Sequence, residues 1–178
     1  TVAGYYGIET IVLHGSITLS SGDDVSGYRL RGENPITAQI TVLDGANVPD
    51  CIFEDMFLNN SVMDGLTYIT HCSVYGLTGF YGYIENSMLS GTIVISSTQN
   101  SFFVDCKSGC VGLGSSDLPV IDLSNAERHL AFRNWAGPVK FVNSNNVNTT
   151  ICVDVTSGAT VIIDATCTAG TIFIRGIA

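Results

Sequence analysis

The sequence predicts an all-β protein, and within that class a right-handed parallel β-helix, in which successive segments of the chain stack as the coils of a solenoid. Three observations lead to this prediction. Short phrases that end in glycine recur along the chain, β-branched and aromatic residues occur in short runs between turn-forming residues, and helix signals are almost missing. Together they favour many short strands over a helical or mixed fold.

The recurring phrases are LSSG, TVLDG, SVMDG, SMLSG, CKSG and VTSG. The first five end at Gly22, Gly45, Gly65, Gly91 and Gly109. A coil built from three short strands and three corners needs about 20–25 residues, so the spacing of these glycines fits one coil for each phrase. Gly45, Gly65 and Gly91 are therefore expected to line up along the axis of the solenoid.

Cysteines form a second series, with Cys51 in DCIFED, Cys72 in HCSVYG and Cys106 in VDCKSG. Alternation along a strand places each cysteine and the next residue but one on the same face. Cysteine is among the most buried residue types, so these three are expected in an interior ladder as buried free thiols. The even count of six also permits disulfides in an oxidising setting, with Cys106 and Cys110 the pair best placed to bridge.

The chain is predicted to form solenoid coils over residues 1–112, with a soft boundary at GLGSSDLP, residues 112–119. Residues 113–178 are predicted to continue or cap the solenoid. Within them LSNAERHLAFRN has two interpretations, because Ser124 and Glu127 fit the capping box of a short helix, whereas HLAFRNW alternates as a strand does. Farther on, the turn signals NSNN, TSG and TAG come closer together, which favours a more hairpin-like cap that protects the open edge.

The composition excludes several classes of function. Charged residues make up 13% of the chain, against roughly 25% in a typical soluble domain. The net charge is -9, and lysine and arginine are scattered singly, which argues against binding to nucleic acid. No apolar run reaches the roughly 20 residues of a membrane-spanning helix. Because the sequence begins TVAG, without an initiating methionine, we interpret it as a segment of a longer polypeptide.

Carboxylate pairs are the main candidates for catalysis, because glycosidases hold two carboxyl groups about 5 to 9.5 Å apart. Asp44 and Asp64 end similar phrases, so they are expected at equivalent places on neighbouring coils, about one strand spacing apart. Aspartate before glycine is also an ordinary turn residue, and this is the interpretation we prefer. Glu54 and Asp55 are adjacent, so their side chains are expected on opposite faces of a strand.

Other chemistry-bearing residues give weaker signals. Asp154 and Asp164 lie in apolar strands and are expected to face solvent rather than bind a cation. His71 and Cys72 are adjacent and are expected to diverge, which argues against a Cys-His nucleophile. The sequence contains no GxSxG elbow, no zinc-type cysteine spacing and no phosphate loop. It therefore predicts no catalytic residue, no cofactor and no metal site, and a protein that is not an enzyme.

Two aromatic clusters are the remaining candidates for binding: Tyr5 and Tyr6 in YYG, and Phe80, Tyr81 and Tyr83 in GFYGYI. Three roles are open to them, namely packing in the core or at a corner, burial in a subunit interface, or stacking on sugar rings. Trp135, the single tryptophan, precedes a turn and is expected to serve local packing.

The second half of the chain carries the phrases SMLSGTIVI, FFVDCKSGCVG, LPVIDLS, HLAFRNWAGPVKFVN and VTSGATVIIDATCTAGTIFIRGIA. Over roughly residues 87–178 it resembles β-rich virion, tail and appendage proteins of tailed bacteriophages, in pattern and turn phrases rather than in catalytic residues. The resemblance implies a tail or virion component that forms a homotrimer and contacts other virion proteins. A host-surface glycan is a further partner that it implies.

The function predicted from the sequence is a structural component of a bacteriophage virion, the shaft or tip of a tail fibre or tail appendage, with a role in host attachment. Stacked coils pair almost every backbone amide with a neighbouring coil, so a stiff shaft needs few surface charges. Two alternatives stay open. A polysaccharide-degrading depolymerase of the tailspike type needs a groove with at least two acidic residues, and a bacterial surface adhesin would carry oxidised cysteines.

Overall fold

The computed structural model describes residues 9–96, 99–110 and 118–176, and all regular secondary structure in these residues is β. No helix in this part of the chain is long and apolar enough to cross a membrane. The strands, in chain order, are β1 Thr10–Leu13, β2 Ser16–Leu19, β3 Arg29–Gly32, β4 Gln39–Val42, β5 Cys51–Glu54, β6 Phe57–Val62, β7 Leu66–Thr70, β8 Ser73–Glu85, β9 Met88–Ile95, β10 Ser101–Val104, β11 Lys107–Ser108, β12 Val120–Asp122, β13 His129–Trp135, β14 Val139–Val142, β15 Thr150–Val155, β16 Val161–Ile163 and β17 Thr171–Gly176.

The strands form two sheets that run the length of the molecule. Each coil gives one segment to sheet A and the next to sheet B, and the long strand β8 passes from sheet B to sheet A. Sheet A contains β1, β3, β5, β7, the second part of β8, β10, β13, β15 and β17, and sheet B contains the other strands and the first part of β8. All of the strand pairs are parallel, and about eight coils result. The predicted parallel β-helix is confirmed.

The coils differ in length because the segments between their strands differ in length. In sheet A, Tyr68 pairs with Tyr83 of the next coil, so the chain between them makes a short coil. Phe102 pairs with Ala131, and the chain between these two residues makes a much longer coil. Strand segments stack in register in spite of these differences, because the extra residues lie between the paired segments.

The glycine phrases mark different places on the coil. Gly45 lies at the corner between β4 and β5, and Gly65 lies at the corner between β6 and β7, where it packs against Pro49. Gly91 lies inside β9 and packs against Gly76 of the preceding coil. The expectation that Gly45, Gly65 and Gly91 line up was therefore wrong, although the stacking that it was used to infer is present. The spacing of the glycine-ending phrases is close to the mean length of a coil, but the phrases do not lie at paired positions on successive coils.

The core is a continuous column of inward-facing side chains between the two sheets. Its widest part is aromatic, with the rings of Phe80, Phe103, Phe132, Trp135 and Phe141 all fully buried. Phe103 and Phe132 are stacked, with centroids 4.3 Å apart and ring planes 4° apart. Phe141 and Trp135 meet Phe132 edge-on, at centroid distances of 5.2 and 5.5 Å. The Phe103–Phe132 stack joins successive coils, and the two edge-on contacts lie within one coil.

In five of the coils, the chain passes from sheet A to sheet B at one residue with a left-handed backbone conformation. The φ angle lies between 49° and 56° at Asp55, His71, Asn86, Asp105 and Asn134. Aspartate, asparagine and histidine are the non-glycine residues most often found in this conformation. The residue that follows each of them turns inward and is buried: Met56, Cys72, Ser87, Cys106 and Trp135.

The three cysteines predicted to be interior, Cys51, Cys72 and Cys106, are buried, which confirms their burial. They do not share one ladder. Cys51 pairs in register with Thr67, because the coil that starts at Cys51 is shorter than the spacing between Cys51 and Cys72. Cys72 and Cys106 do share a ladder at the corner, with Ser87 between them, and the Cys72 N–H donates to Ser87 Oγ at 3.1 Å.

The C-terminal region continues the solenoid. Strands β15 and β17 pair in parallel in sheet A, and β14 and β16 pair in parallel in sheet B. Parallel pairing thus reaches Gly176, in place of the hairpin-like ending that the turn signals favoured. The stretch that was open to two interpretations forms strand β13, and most of the predicted boundary at residues 112–119 lies outside the described residues.

Candidate functional site

Three aromatic side chains form a stack on the outer face of sheet A. Tyr68, Tyr83 and Phe102 occupy the same register position on three successive coils. The ring centroids of Tyr68 and Tyr83 are 5.2 Å apart with planes 2° apart, and those of Tyr83 and Phe102 are 4.7 Å and 11° apart. Tyr83 is 41% exposed. These three residues are called the aromatic column, and they offer a flat surface for a protein or a ligand.

The other aromatic residues singled out in the sequence lie elsewhere. Phe80 and Trp135 are fully buried and belong to the core, as the packing interpretation predicted. Tyr81 is half-buried at the point where β8 enters sheet A. Tyr5 and Tyr6 lie outside the described residues. Of the GFYGYI cluster, Tyr83 therefore contributes the exposed ring of the aromatic column.

Four charged residues meet at the corner that ends β5. Arg29 Nη2 lies 2.7 Å from Glu54 Oε2, and Arg31 Nε lies 3.3 Å from Asp55 Oδ2 and 3.7 Å from Glu54 Oε2. The expectation that Glu54 and Asp55 point to opposite faces was wrong, because the left-handed φ of 54° at Asp55 ends the alternation. Both carboxylates are engaged by arginines from the preceding coil, so they form an inter-coil ion-pair network.

Asp44 and Asp64 do not lie at equivalent positions on neighbouring coils. The Val48 N–H donates to Asp64 Oδ1 at 3.2 Å, which places Asp64 beside Val48 rather than beside Asp44. Asp44 lies in an exposed turn. The carboxylate therefore satisfies a backbone donor of the neighbouring coil, which agrees with the turn interpretation of Asp64.

Asp154 and Asp164 face outward, as predicted, and each pairs with a basic residue of an adjacent coil. Arg175 donates to both carboxylate oxygens of Asp154, from Nε at 2.9 Å and from Nη2 at 2.7 Å. Lys140 Nζ lies 2.6 Å from Asp164 Oδ2, and the hydrogen bond from Lys140 lowers the pKa of Asp164 to about 2. These pairs tie coils together at the surface, where each contributes little to stability.

His71 and Cys72 diverge, as the sequence predicted. His71 is exposed, and its Nδ1 lies 3.1 Å from Thr70 Oγ1. Cys72 is buried, and its thiol donates to the carbonyl oxygens of Thr70 at 3.2 Å and Phe53 at 3.5 Å. The two side chains therefore lie on opposite sides of the corner, where an imidazole cannot activate the thiol.

Burial raises the pKa of three interior thiols. The pKa of Cys51 rises to about 11, and those of Cys72 and Cys106 rise to about 12, in each case chiefly because the thiolate would lose its hydration. Thiols with such pKa values are protonated at neutral pH and are poor nucleophiles. In the folded chain these three thiols fill interior positions.

We expect these thiols to make the protein less stable in alkali. Their folded pKa values lie above the ordinary value of 9.0. Only the unfolded chain therefore releases their protons as the pH rises from about 9 to about 11 for Cys51, and to about 12 for Cys72 and Cys106. Each thiol then lowers the free energy of unfolding by about 1.4 kcal/mol per pH unit in that window. Urea unfolding between pH 8 and 10.5 should show a shallower loss for Cys72→Ala than for the parent. An identical slope in the two proteins would contradict the assignment.

A groove on the outer face of sheet B was not foreseen from the sequence. It is open to solvent, has a volume of about 280 Å³ and is lined by Asn60, Tyr75, Gly76, Leu77, Thr78, Gly91, Thr92 and Val94. Three of these residues have a left-handed backbone conformation, with φ of 43° at Asn60, 75° at Gly76 and 68° at Gly91. The lining contains no charged residue. We call this feature the glycine groove.

The glycine groove lies where the pairing of β8 and β9 is irregular. Tyr75 pairs with Ser90 and Leu77 pairs with Ile93, so β9 has one extra residue between these two pairs. Such bulges redirect side chains and often lie beside functional sites. The glycines of SVYG and MLSG are visible in the sequence. They form a groove only because Gly91 stacks on Gly76 of the preceding coil, and the sequence does not show this pairing.

In the described part of the chain, no group of three or more histidine, cysteine, aspartate or glutamate side chains is placed to hold a metal ion. All six cysteines lie in this part, and the structure records no disulfide between them. Comparison of the chain with family models, with curated proteins and with solved structures gave no match.

Proposed function

We propose that the chain is a structural component of a bacteriophage virion, a stiff segment of a tail fibre or tail appendage that takes part in host attachment. The observation that carries the proposal is the unbroken parallel stack, in which one hydrogen-bonded core extends over about eight coils. Such a stack resists bending, because each coil is held to its neighbours along both sheets. The low content of charged residues is compatible with this role, since hydroxyl and amide side chains can keep the outer faces hydrated.

The proposed assembly is a homotrimer in which the aromatic column lies between subunits. Tyr83 and Phe102 form an apolar surface on the outer face of sheet A, and aromatic residues are enriched at subunit interfaces. Phe173 belongs to the same register series of outward residues and is 59% exposed. A second or third copy of the chain would remove these rings from water.

Replacement of Tyr83 by glutamate tests this assembly. The charge would lie in the middle of the aromatic column, where burial without a partner is costly, so the trimer is expected to dissociate into monomers. Light scattering during size-exclusion chromatography measures the mass, with Thr18→Glu on the exposed face of sheet B as the matched control. A monomeric parent chain, or a Tyr83→Glu variant that stays trimeric, would rule out this interface.

The virion assignment is tested by microscopy. Gold-labelled antibodies against the purified chain are applied to virions and cells from the phage-infected culture whose DNA encodes the chain. Label at the tail appendages is expected. Label confined to the bacterial surface would contradict the proposal and favour an adhesin, and new reducing ends released from host polysaccharide by the purified chain would favour a depolymerase.

A further inference from the structure

We infer that the glycine groove binds one ring of a neutral sugar. This inference rests on the attachment role proposed above and deepens it, since it gives that role a place on the molecule and a class of ligand. The site is separate from the aromatic column, because the groove lies on sheet B and the column lies on sheet A.

Glycines at the groove let successive coils approach each other closely. A Cβ atom on Gly76 would lie 2.5 Å from Asn60 Oδ1, and one on Gly91 would lie 3.2 Å from Gly76 N and 3.5 Å from the Tyr75 ring. Left-handed φ angles at both glycines make any side chain unfavourable there. Stacked on successive coils, these residues leave a slot with the half-buried Tyr75 ring beside it.

The lining selects the ligand class. The lining contains no lysine or arginine, so the groove has no cationic group to pair with a phosphate or a carboxylate. It also contains no aspartate or glutamate, so it has no anionic group to pair with a cation. Asn60 offers an amide donor and acceptor, and Thr78 and Thr92 offer exposed hydroxyls. Next to an aromatic ring, this combination suits a molecule with one apolar face and a rim of hydroxyls.

The volume limits the size of the ligand. About 280 Å³ is near the lower end of ligand-binding pockets, which suits a single ring rather than an enclosed oligosaccharide. A ligand of that size with few hydrogen bonds is expected to bind with a Kd of about 1–10 mM. In an assembly with several copies of the chain, repeated weak contacts of this kind would add through multivalency.

Saturation-transfer NMR with the methyl glycosides of glucose, galactose and N-acetylglucosamine tests the inference. The methyl glycoside of glucuronic acid serves as the charged probe. At least one neutral glycoside is expected to bind and the charged probe is not. Thr92→Arg places a long side chain in the groove from an exposed position, and Tyr75→Ala removes the ring, so each should weaken binding at least about tenfold. Thr18→Arg, on the same sheet outside the groove, should bind as the parent does.

The outcomes separate this inference from the proposed function. Failure of all three glycosides to bind, or unchanged binding by Thr92→Arg, would overturn the groove assignment even if antibodies label the virion. Binding that is lost in Tyr83→Ser but kept in Thr92→Arg would also overturn it, because the sugar would then lie on the aromatic column. Sugar binding in the groove by a protein that is not found on virions would leave the groove assignment intact and remove only the virion role. Circular dichroism confirms that each variant is folded.

Discussion

Replacement of Phe132 by alanine is expected to lower the free energy of unfolding by about 3–5 kcal/mol. Phe132 is fully buried and contacts three other aromatic rings: Phe103, Trp135 and Phe141. The truncation removes the ring shared by all these contacts and leaves a cavity that the rigid sheets cannot collapse to fill. Urea unfolding followed by the fluorescence of Trp135, which lies beside the lost ring, measures the effect.

Ile36→Ala is the control for Phe132→Ala. It removes a large apolar side chain from a surface turn outside the proposed interface, where the residue is 76% exposed. Its cost is expected to be below about 1 kcal/mol, as for most surface substitutions. Equal losses in the two variants would mean that Phe132 does not lie in the core.

Replacement of Gly82 by alanine is expected to cost about 4 kcal/mol, because backbone strain and overpacking each cost about 1–3 kcal/mol. The new Cβ atom would lie 2.2 Å from the carbonyl oxygen of Thr67, in the backbone of the preceding coil. The φ angle at Gly82 is 126°, a conformation that residues with a side chain rarely adopt. Chemical unfolding monitored by circular dichroism gives the loss of stability.

Gly158→Ala separates the two causes. Gly158 also has a positive φ, of 83°, but a Cβ atom there would meet no other atom within 4 Å. Its expected loss of about 1–2 kcal/mol reflects backbone strain alone. If Gly82→Ala costs no more than Gly158→Ala, then sheet A does not stack as closely at Gly82 as the structure shows.

The proposed role in attachment uses two outer faces for two purposes. The aromatic column on sheet A presents stacked rings, and the glycine groove on sheet B presents an uncharged slot. A solenoid can carry both because inward residues supply the stability, while outward residues are free to vary. The variants Tyr83→Glu and Thr92→Arg change one face each and leave the core intact.

The sequence determined the class of fold. Short β-branched runs between asparagine, aspartate and glycine predict strands and corners, and alternation predicts the inward side of Cys51, Cys72 and Cys106. These properties depend on neighbours along the chain. For this reason the parallel β-helix, the buried cysteines and the outward Asp154 and Asp164 could be predicted.

The tertiary structure decided the register, and with it every surface site. The segments between strands differ in length and give coils of different length, so Gly91 stacks on Gly76 and Cys51 stacks on Thr67. The glycine groove exists only where left-handed residues of successive coils coincide. Spacing along the chain cannot reveal this, because side-chain packing between coils, rather than any local preference, selects which residues lie side by side.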